Sequence, residues 1–270
     1  MPEGHTLHRL AKQQDALFAD RLVAVSSPQG RFAEGAGMVD GRRIVRVDAY
    51  GKHLFQHYEG KLVTHVHLGL YGKFVAGHGT PPAPRGALRM RIETAEADEP
   101  VHWTDLRGAI TCEVLDDPAG MKAVVAKLGP DPLRRNPDGG QRAFERIHRS
   151  KVAVGAQLMD QSRLAGVGNV YRAEILFRHH ISPFRPGTGL TADDWSALWP
   201  DLVTLMKAGV KSGRIITTEK ADRAPGRVTR ADANYVYRRD GLPCRICGTT
   251  VRKADMVARN LFWCEVCQPD

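Results

Sequence analysis

Two cysteine pairs, "CRIC" (Cys244, Cys247) and "CEVC" (Cys264, Cys267), constrain this chain more tightly than any other feature. Two residues separate the thiols within each pair, so both can converge on one ion from a single turn. The 16 residues between the pairs suffice for a hairpin that returns the second turn opposite the first. That spacing predicts a tetrahedral four-thiolate zinc site. Two disulfides are the rival reading, disfavoured where a reducing compartment keeps thiols free. Four thiolates close the coordination sphere, so the expected ion is structural, one per chain, and does no chemistry. The fifth cysteine, Cys112 in "GAITCEVL", reads as a small core residue of a strand.

The chain has 270 residues, room for one large domain or two to three small ones. Lys and Arg outnumber Asp and Glu by 39 to 30, a net charge of +9 that points to a polyanionic partner, nucleic acid first. Plain solubility is the bland alternative. No secretory signal is visible and no stretch approaches the roughly 20 apolar residues of a membrane helix. The expectation is a cytoplasmic protein, nucleoid-associated when bound to DNA, with no membrane partner. Basic residues thicken toward the cysteines, among them Arg214, Arg227, Arg238, Arg252 and Arg259, which favours a phosphate-binding face there.

Leu7, Leu10, Leu17 and Phe18 predict a helix over residues 6–19. From about 21 to 116 the segments "RIVRVDAY", "KHLFQHYE", "KLVTHVHL" and "ALRMRIET" are short, apolar or alternating, and separated by Gly- and Pro-rich turns such as "GHGTPPAPRG". They predict an antiparallel sandwich or barrel. From about 119 to 212 the pattern turns helical: "KAVVAKLG", "VAVGAQLMDQ", "NVYRAEILFRHH" and "LTADDWSALWPDLVTLMKAGVKSG". The last has Thr191 as N-cap, Gly213 as stop and a break expected near Pro200. Residues 213–234 are polar and aperiodic, a loop long enough to be functional or mobile. In "LAGVGNVYRAE", Gly166 and Gly168 make a tight turn before a helix that begins at Asn169. A helix N-terminus binds phosphate, although a lone turn between helices would look the same.

Six motifs then occur in order: "MPEG", "GKHLF", "HLGLYG", "KLGPDPL", "LAGVGNVYRAEILF" and "CRICG…ARNLFWCEVC". In them the chain resembles the Fpg/Nei family of DNA glycosylases over nearly its whole length, with "MPEG" and "LYG" leaning toward the endonuclease VIII branch. The resemblance implies an α+β multidomain protein. An N-terminal helix and antiparallel β-sandwich (1–118) precede a helix-two-turns-helix domain (119–234, including the 213–234 loop) and a four-cysteine zinc-finger hairpin (235–270). It implies damaged DNA as the partner, bound by a monomer.

It further implies base excision repair by a bifunctional DNA glycosylase and AP lyase. Such an enzyme removes oxidised bases, here expected to be pyrimidines, and cuts the strand by β,δ-elimination. With Met1 removed, Pro2 would present a secondary amine that forms a Schiff base with the sugar. Glu3 would move protons. Lys52 would serve as acid to the sugar or as orienter of the 3′ phosphate, and Arg259 would grip a phosphate of the damaged nucleotide. Asn169 and Lys127 map onto phosphate contacts, Lys127 only through the neighbouring "LGPDPL". Leu70 and Tyr71 match the loop that fills the void left by an extruded nucleotide. Core strand residues are the alternative for that pair, but two nearby glycines favour a loop tip.

Thr6 stands where the family usually carries a second acid, and Gly69 where some endonuclease VIII members carry a polar residue. The 213–234 loop either caps an extruded base or is disordered. Two other functions fit parts of the pattern. A catalytically silent DNA-binding protein of the same fold would result from a retained Met1. An RNA-binding zinc-ribbon protein fits the charge and the cysteines but leaves Pro2-Glu3, Lys52 and Leu70-Tyr71 unexplained.

Overall fold

The computed structural model of the chain describes residues 2–95 and 101–270; Met1, on which the amine of Pro2 depends, lies outside them. The chain forms two compact units, Met1–Lys127 and Leu128–Asp270.

The first unit begins with α1 (Gly4–Phe18) and continues through β1 (Arg21–Ser26), α2 (Ala33–Val39), β2 (Arg42–Tyr50), β3 (His53–Tyr58), β4 (Leu62–His67), β5 (Lys73–His78), β6 (Leu88–Thr94), β7 (His102–Arg107), β8 (Thr111–Asp116) and α3 (Asp117–Ala126). The strands pair antiparallel throughout in the order β5-β7-β6-β1-β2-β3-β4-β8. Val23, Ile44, Leu54, Val66, Met90 and Leu106 meet Leu7 and Phe18 of α1 in one core, which makes the sheet a sandwich. The helix starts at Gly4 rather than at residue 6, with Glu3 in the N-cap position. Asp15 of α1 accepts from the Val47 N–H at 2.7 Å, and Gln14 accepts from Gln56 at 2.7 Å, so polar bonds tie the helix to β2 and β3. The short helix α2 interrupts a region whose sequence reads as strands throughout. Cys112 sits half-buried against this core, as expected of a small strand residue.

The second unit holds α4 (Gly139–His148), α5 (Val154–Gln157), α6 (Asn169–Arg178), α7 (Ala192–Ser212) and a hairpin of β9 (Arg252–Met256) and β10 (Arg259–Trp263). The segment "VAVGAQLMDQ" contributes only a single turn, α5, in which Gly155 packs against the backbone of Pro183, where a Cβ would come within 2.8 Å of the carbonyl oxygen. A capping box joins Thr191 and Asp194 at the start of α7, and Gly213 ends it at φ 72°, both as expected. The expected break at Pro200 does not occur. The helix runs through it with Trp195, Leu198, Leu202 and Met206 buried on one side, and that burial outweighs one lost backbone bond. Among the described residues no helix is long and apolar enough to cross a membrane.

Candidate nucleic-acid site and zinc centre

Pro2 is half-buried and Glu3 is fully buried at the start of α1. The Glu3 carbonyl accepts from the Thr6 N–H at 2.8 Å, while its carboxylate does not cap the helix. Thr6, the departure from the family acid, has its hydroxyl 3.3 Å from His5 Nε2. Burial pushes the His5 imidazole down to about 4, so at neutral pH this position offers an uncharged ring.

Lys52 occupies a two-residue turn, since Tyr50 pairs directly with His53 across β2 and β3. Gly51 takes φ 56° there, and the ammonium of Lys52 acts on both His53 and His67. Leu70 and Tyr71 stand at the tip between β4 and β5, not in a strand; Tyr71 is 88% exposed and Leu70 39%. Two glycines make that tip. A Cβ on Gly72 would come within 2.2 Å of the Leu68 carbonyl oxygen, and one on Gly69, at φ 68°, within 2.3 Å of Ile110. Gly69 is therefore required by the turn, whatever its effect on recognition. Lys127 follows α3 and is exposed.

In the second unit Asn169 and Arg259 are joined through the hairpin. Asn169 is the first residue of α6, behind an extended Gly168. Its Nδ2 donates to the Asn260 carbonyl at 2.9 Å, and its Oδ1 accepts from Arg172. Arg172 is fully buried and also donates to the carbonyls of Met256 and Asn260. These bonds hold the turn from which Arg259 emerges, where Val257 and Ala258 both take positive φ, 49° and 56°. Sequence reasoning missed Arg172. Its only signal was a cation on the helix face otherwise filled by buried Tyr171, Ile175 and Leu176.

Glu174 was missed as well. This fully buried carboxylate accepts from the backbone N–H groups of Tyr235, Val236 and Tyr237 at 2.7, 2.8 and 2.8 Å, and from the Thr217 hydroxyl. It ties the two ends of the long loop to α6. Thr218 and Arg214 close the loop further by donating to the Asp232 and Val228 carbonyls.

The four cysteines converge as their spacing predicts, with all sulfurs within 4.8 Å of one another. Cys244 and Cys267 are 3.8 Å apart and Cys247 and Cys264 3.4 Å, far beyond a sulfur–sulfur bond. Tetrahedral zinc with bonds of about 2.3 Å sets sulfurs about 3.8 Å apart, so the set fits one structural zinc. The rival disulfide reading fails on these distances. Cys244, Cys264, Cys267, Val251 and Phe262 share a core with Ala173 and Phe177 of α6, so the metal end of the hairpin is packed on the helix that carries Asn169.

Three family models match in sequence. The formamidopyrimidine-DNA glycosylase N-terminal domain covers residues 1–112, the formamidopyrimidine-DNA glycosylase H2TH domain 128–221, and the zinc finger found in FPG and IleRS 241–269. Endonuclease 8 1 of Mycobacterium tuberculosis is 50% identical over 99% of this chain and its own full length. Formamidopyrimidine-DNA glycosylase of Thermus thermophilus is 32% identical over 99% of this chain and 97% of its own. Among solved structures, the MutM (Fpg) protein of Thermus thermophilus superposes with a TM-score of 0.74 at 26% identity, covering 99% and 98% of the two chains. Lactococcus lactis Fpg, bound to DNA containing an AP site, gives 0.81 at 18% identity over 99% and 100%. With its N-terminal sandwich, H2TH helices and zinc finger all matched, the chain belongs to the Fpg/Nei family of DNA glycosylases and AP lyases.

Proposed function

We propose that this protein acts as a monomer in base excision repair, releasing oxidised bases, pyrimidines in preference, through Pro2 and then cleaving the strand. The observation that carries the reading is the placement of Pro2 and a fully buried Glu3 at the N-terminal end of a 15-residue helix. The positive end of a helix dipole disfavours an ammonium and favours a carboxylate. A terminal amine, with a reference pKa of about 8, is thereby helped toward its nucleophilic form at neutral pH.

The Pro2 nitrogen bonds to C1′ as the glycosidic bond breaks, and the base leaves with the bonding pair and takes up the proton that the new ammonium gives up. Glu3 delivers a proton to the ring oxygen as the C1′–O bond breaks, the sugar opens, and the nitrogen lone pair forms the iminium. Loss of the C2′ proton expels the 3′ phosphate, a second elimination expels the 5′ phosphate, and water releases the sugar remnant from Pro2. Lys52 supplies a cation to the sugar or the 3′ phosphate. Asn169, Arg259 and Lys127 hold DNA phosphates, and Leu70 and Tyr71 fill the gap in the stack. The work divides among residues 1–118, 119–234 and 235–270.

Borohydride trapping on an abasic-site duplex, with mass spectrometry of the amino-terminal peptide, tests this. An adduct on Pro2 is expected. Protein with Met1 removed that forms no adduct would refute the reading and leave a silent DNA-binding protein.

A further inference from the structure

Helix α1 reaches the sheet through two polar side chains that the proposed chemistry does not use. Its buried side chains include Leu7, Ala11, Gln14 and Phe18, so an amide interrupts an apolar row. Apolar packing is non-directional and does not by itself fix how far a helix slides along its own axis. The polar groups do. Gln14 Oε1 accepts from Gln56 Nε2 on β3 at 2.7 Å, and Gln56 Oε1 is held in turn by the Thr64 hydroxyl of β4 at 2.5 Å. Asp15 Oδ1 accepts from the Val47 N–H on β2 at 2.7 Å. β1 pairs with residues 42–44 of β2, and Asp15 takes the Val47 N–H beyond the end of that pairing. The amide pair does little for stability. Gln14 Nε2 is buried with no partner among the described residues, and a buried N–H left unbonded is costly. Such a group can still specify register, as a lone asparagine does in a coiled coil.

The same bonds give the helix a direction. The Asp20 N–H, just past the end of α1, donates to the Ile44 carbonyl at 2.7 Å. Earlier in the chain, Asp15 and Gln14 meet Val47 and its cross-strand partner Gln56. Contacts thus step forward along β2 as they step back along α1. The helix runs antiparallel to β2, and its N-terminus points the way the β2–β3 hairpin points, toward the turn at Gly51 and Lys52. From Gln14 to Gly4 the helix rises about 15 Å. From Val47 to Tyr50 the strand advances about 10 Å. Pro2 lies two residues past the first end and Lys52 two residues past the second. Helix and hairpin therefore finish at the same end of the core, at heights about 5 Å apart.

We infer that Gln14, Asp15 and Gln56 are positioning residues: they lock the axial register of α1 on the β2–β3 hairpin and so set the amine of Pro2 at the height of Lys52. A slip of one residue along the helix would shift Pro2 by about 1.5 Å, enough to slow a reaction about tenfold or more. The inference rests on the proposed parts of Pro2 and Lys52 in base release and strand cleavage.

The test is Gln14→Met combined with Asp15→Ala, which removes both acceptors and leaves Pro2, Glu3 and Lys52 in place. Zinc-loaded variant and wild type are compared at a temperature where the melting curve of each shows it folded. Single-turnover cleavage of an abasic duplex should fall about tenfold or more. The Kd for a duplex carrying an uncleavable abasic analogue should stay within about twofold, because the proposed phosphate contacts Asn169 and Arg259 belong to the other unit. Asp15→Asn, whose amide oxygen can still accept from Val47, should cleave within about twofold of the wild type. If the combined variant does not fold, Gln14→Met alone, which keeps the Asp15 bond, should lose about threefold in the same comparison. Undiminished cleavage by the folded variant, a loss confined to Kd, or an equal loss in Asp15→Asn would each overturn the inference. A wild type that forms no borohydride-trapped adduct on Pro2 would instead refute the proposed chemistry, and the inference with it.

Discussion

Glu174→Gln removes one charge and changes no shape, yet the structure predicts a large effect. The two carboxylate oxygens divide four donors: Oε1 accepts from the Val236 and Tyr237 N–H groups, and Oε2 from the Tyr235 N–H and the Thr217 hydroxyl. An amide has one oxygen. Placed over Val236 and Tyr237 it turns its NH2 toward Thr217, whose hydroxyl can reverse and accept, and toward the Tyr235 N–H, which cannot. One buried backbone N–H then loses its partner, costing about 1–3 kcal/mol, and the remaining bonds lose their charge assistance. Relief of burying a carboxylate offsets part of this, because burial pushes the Glu174 carboxyl above its ordinary range against the pull of its four donors. A net loss of about 2 kcal/mol lowers the melting temperature of a unit this size by about 5 °C. Thermal unfolding of the zinc-loaded chain measures it. Hydrogen exchange at Tyr235–Tyr237 should accelerate at the same time, since those amides lose their acceptor. A variant as stable as the wild type, with the same three amides still protected, would mean that Glu174 is already protonated and that the argument from donor counting is wrong.

Three further outcomes follow from the geometry. Cys264→Ser should lower zinc content and destabilise the second unit, because the same residue is fully buried between the metal and α6; metal analysis with thermal unfolding reads both, and full zinc retention would count against the site. Tyr71→Ala removes a side chain that is 88% exposed, so stability should stay within about 0.5 kcal/mol of the wild type while base release from duplex DNA falls about tenfold. The first unit should lose stability on acidification because of His5, whose imidazole is held at about 4 when folded against 6.5 when free. Below pH 6.5 the unfolded chain takes up a proton that the folded chain refuses until about pH 4. Stability therefore falls across that window, by about 2 kcal/mol between pH 7 and pH 5, and His5→Asn should flatten the slope in pH-dependent melts.

What could be read from the sequence and what could not differ in the range of the interactions involved. The cysteine knuckles, the Thr191 cap with its Gly213 stop, and the glycine-bounded tip at Leu70 and Tyr71 are each decided within a few residues, and local chemistry announces them. The Pro200 expectation failed for the converse reason: a local rule about a missing N–H met a core of Trp195, Leu198, Leu202 and Met206 that no window around the proline displays. Helix α2 went unread because its few apolar residues, Ala36 and Val39 among them, are too sparse to show a period.

The same distinction separates the candidate residues of the motifs from the buried polar groups that motif reading omits. Pro2, Lys52 and Arg259 stand at a helix start, a two-residue turn and a strand start, and the motifs around them are contiguous. The polar groups that brace the turns, the loop and the sheet are scattered. Arg172 reaches Asn260 across 88 positions, Glu174 reaches Tyr235 across 61, and His65 reaches Glu113 across 48. Each is a polar group at a place where sequence pattern alone expects either core or solvent. Each lies at low exposure or against a buried partner, where a polar atom must find another to avoid a penalty of about 1–3 kcal/mol. Hydrogen-bond accounting in three dimensions therefore finds supporting residues that motif reading passes over. It also predicts how their variants differ from those of Pro2, Lys52 and Arg259: loss of one of these three should leave the fold intact while lowering activity. Loss of Arg172 or Glu174 should first loosen the turn or loop it holds.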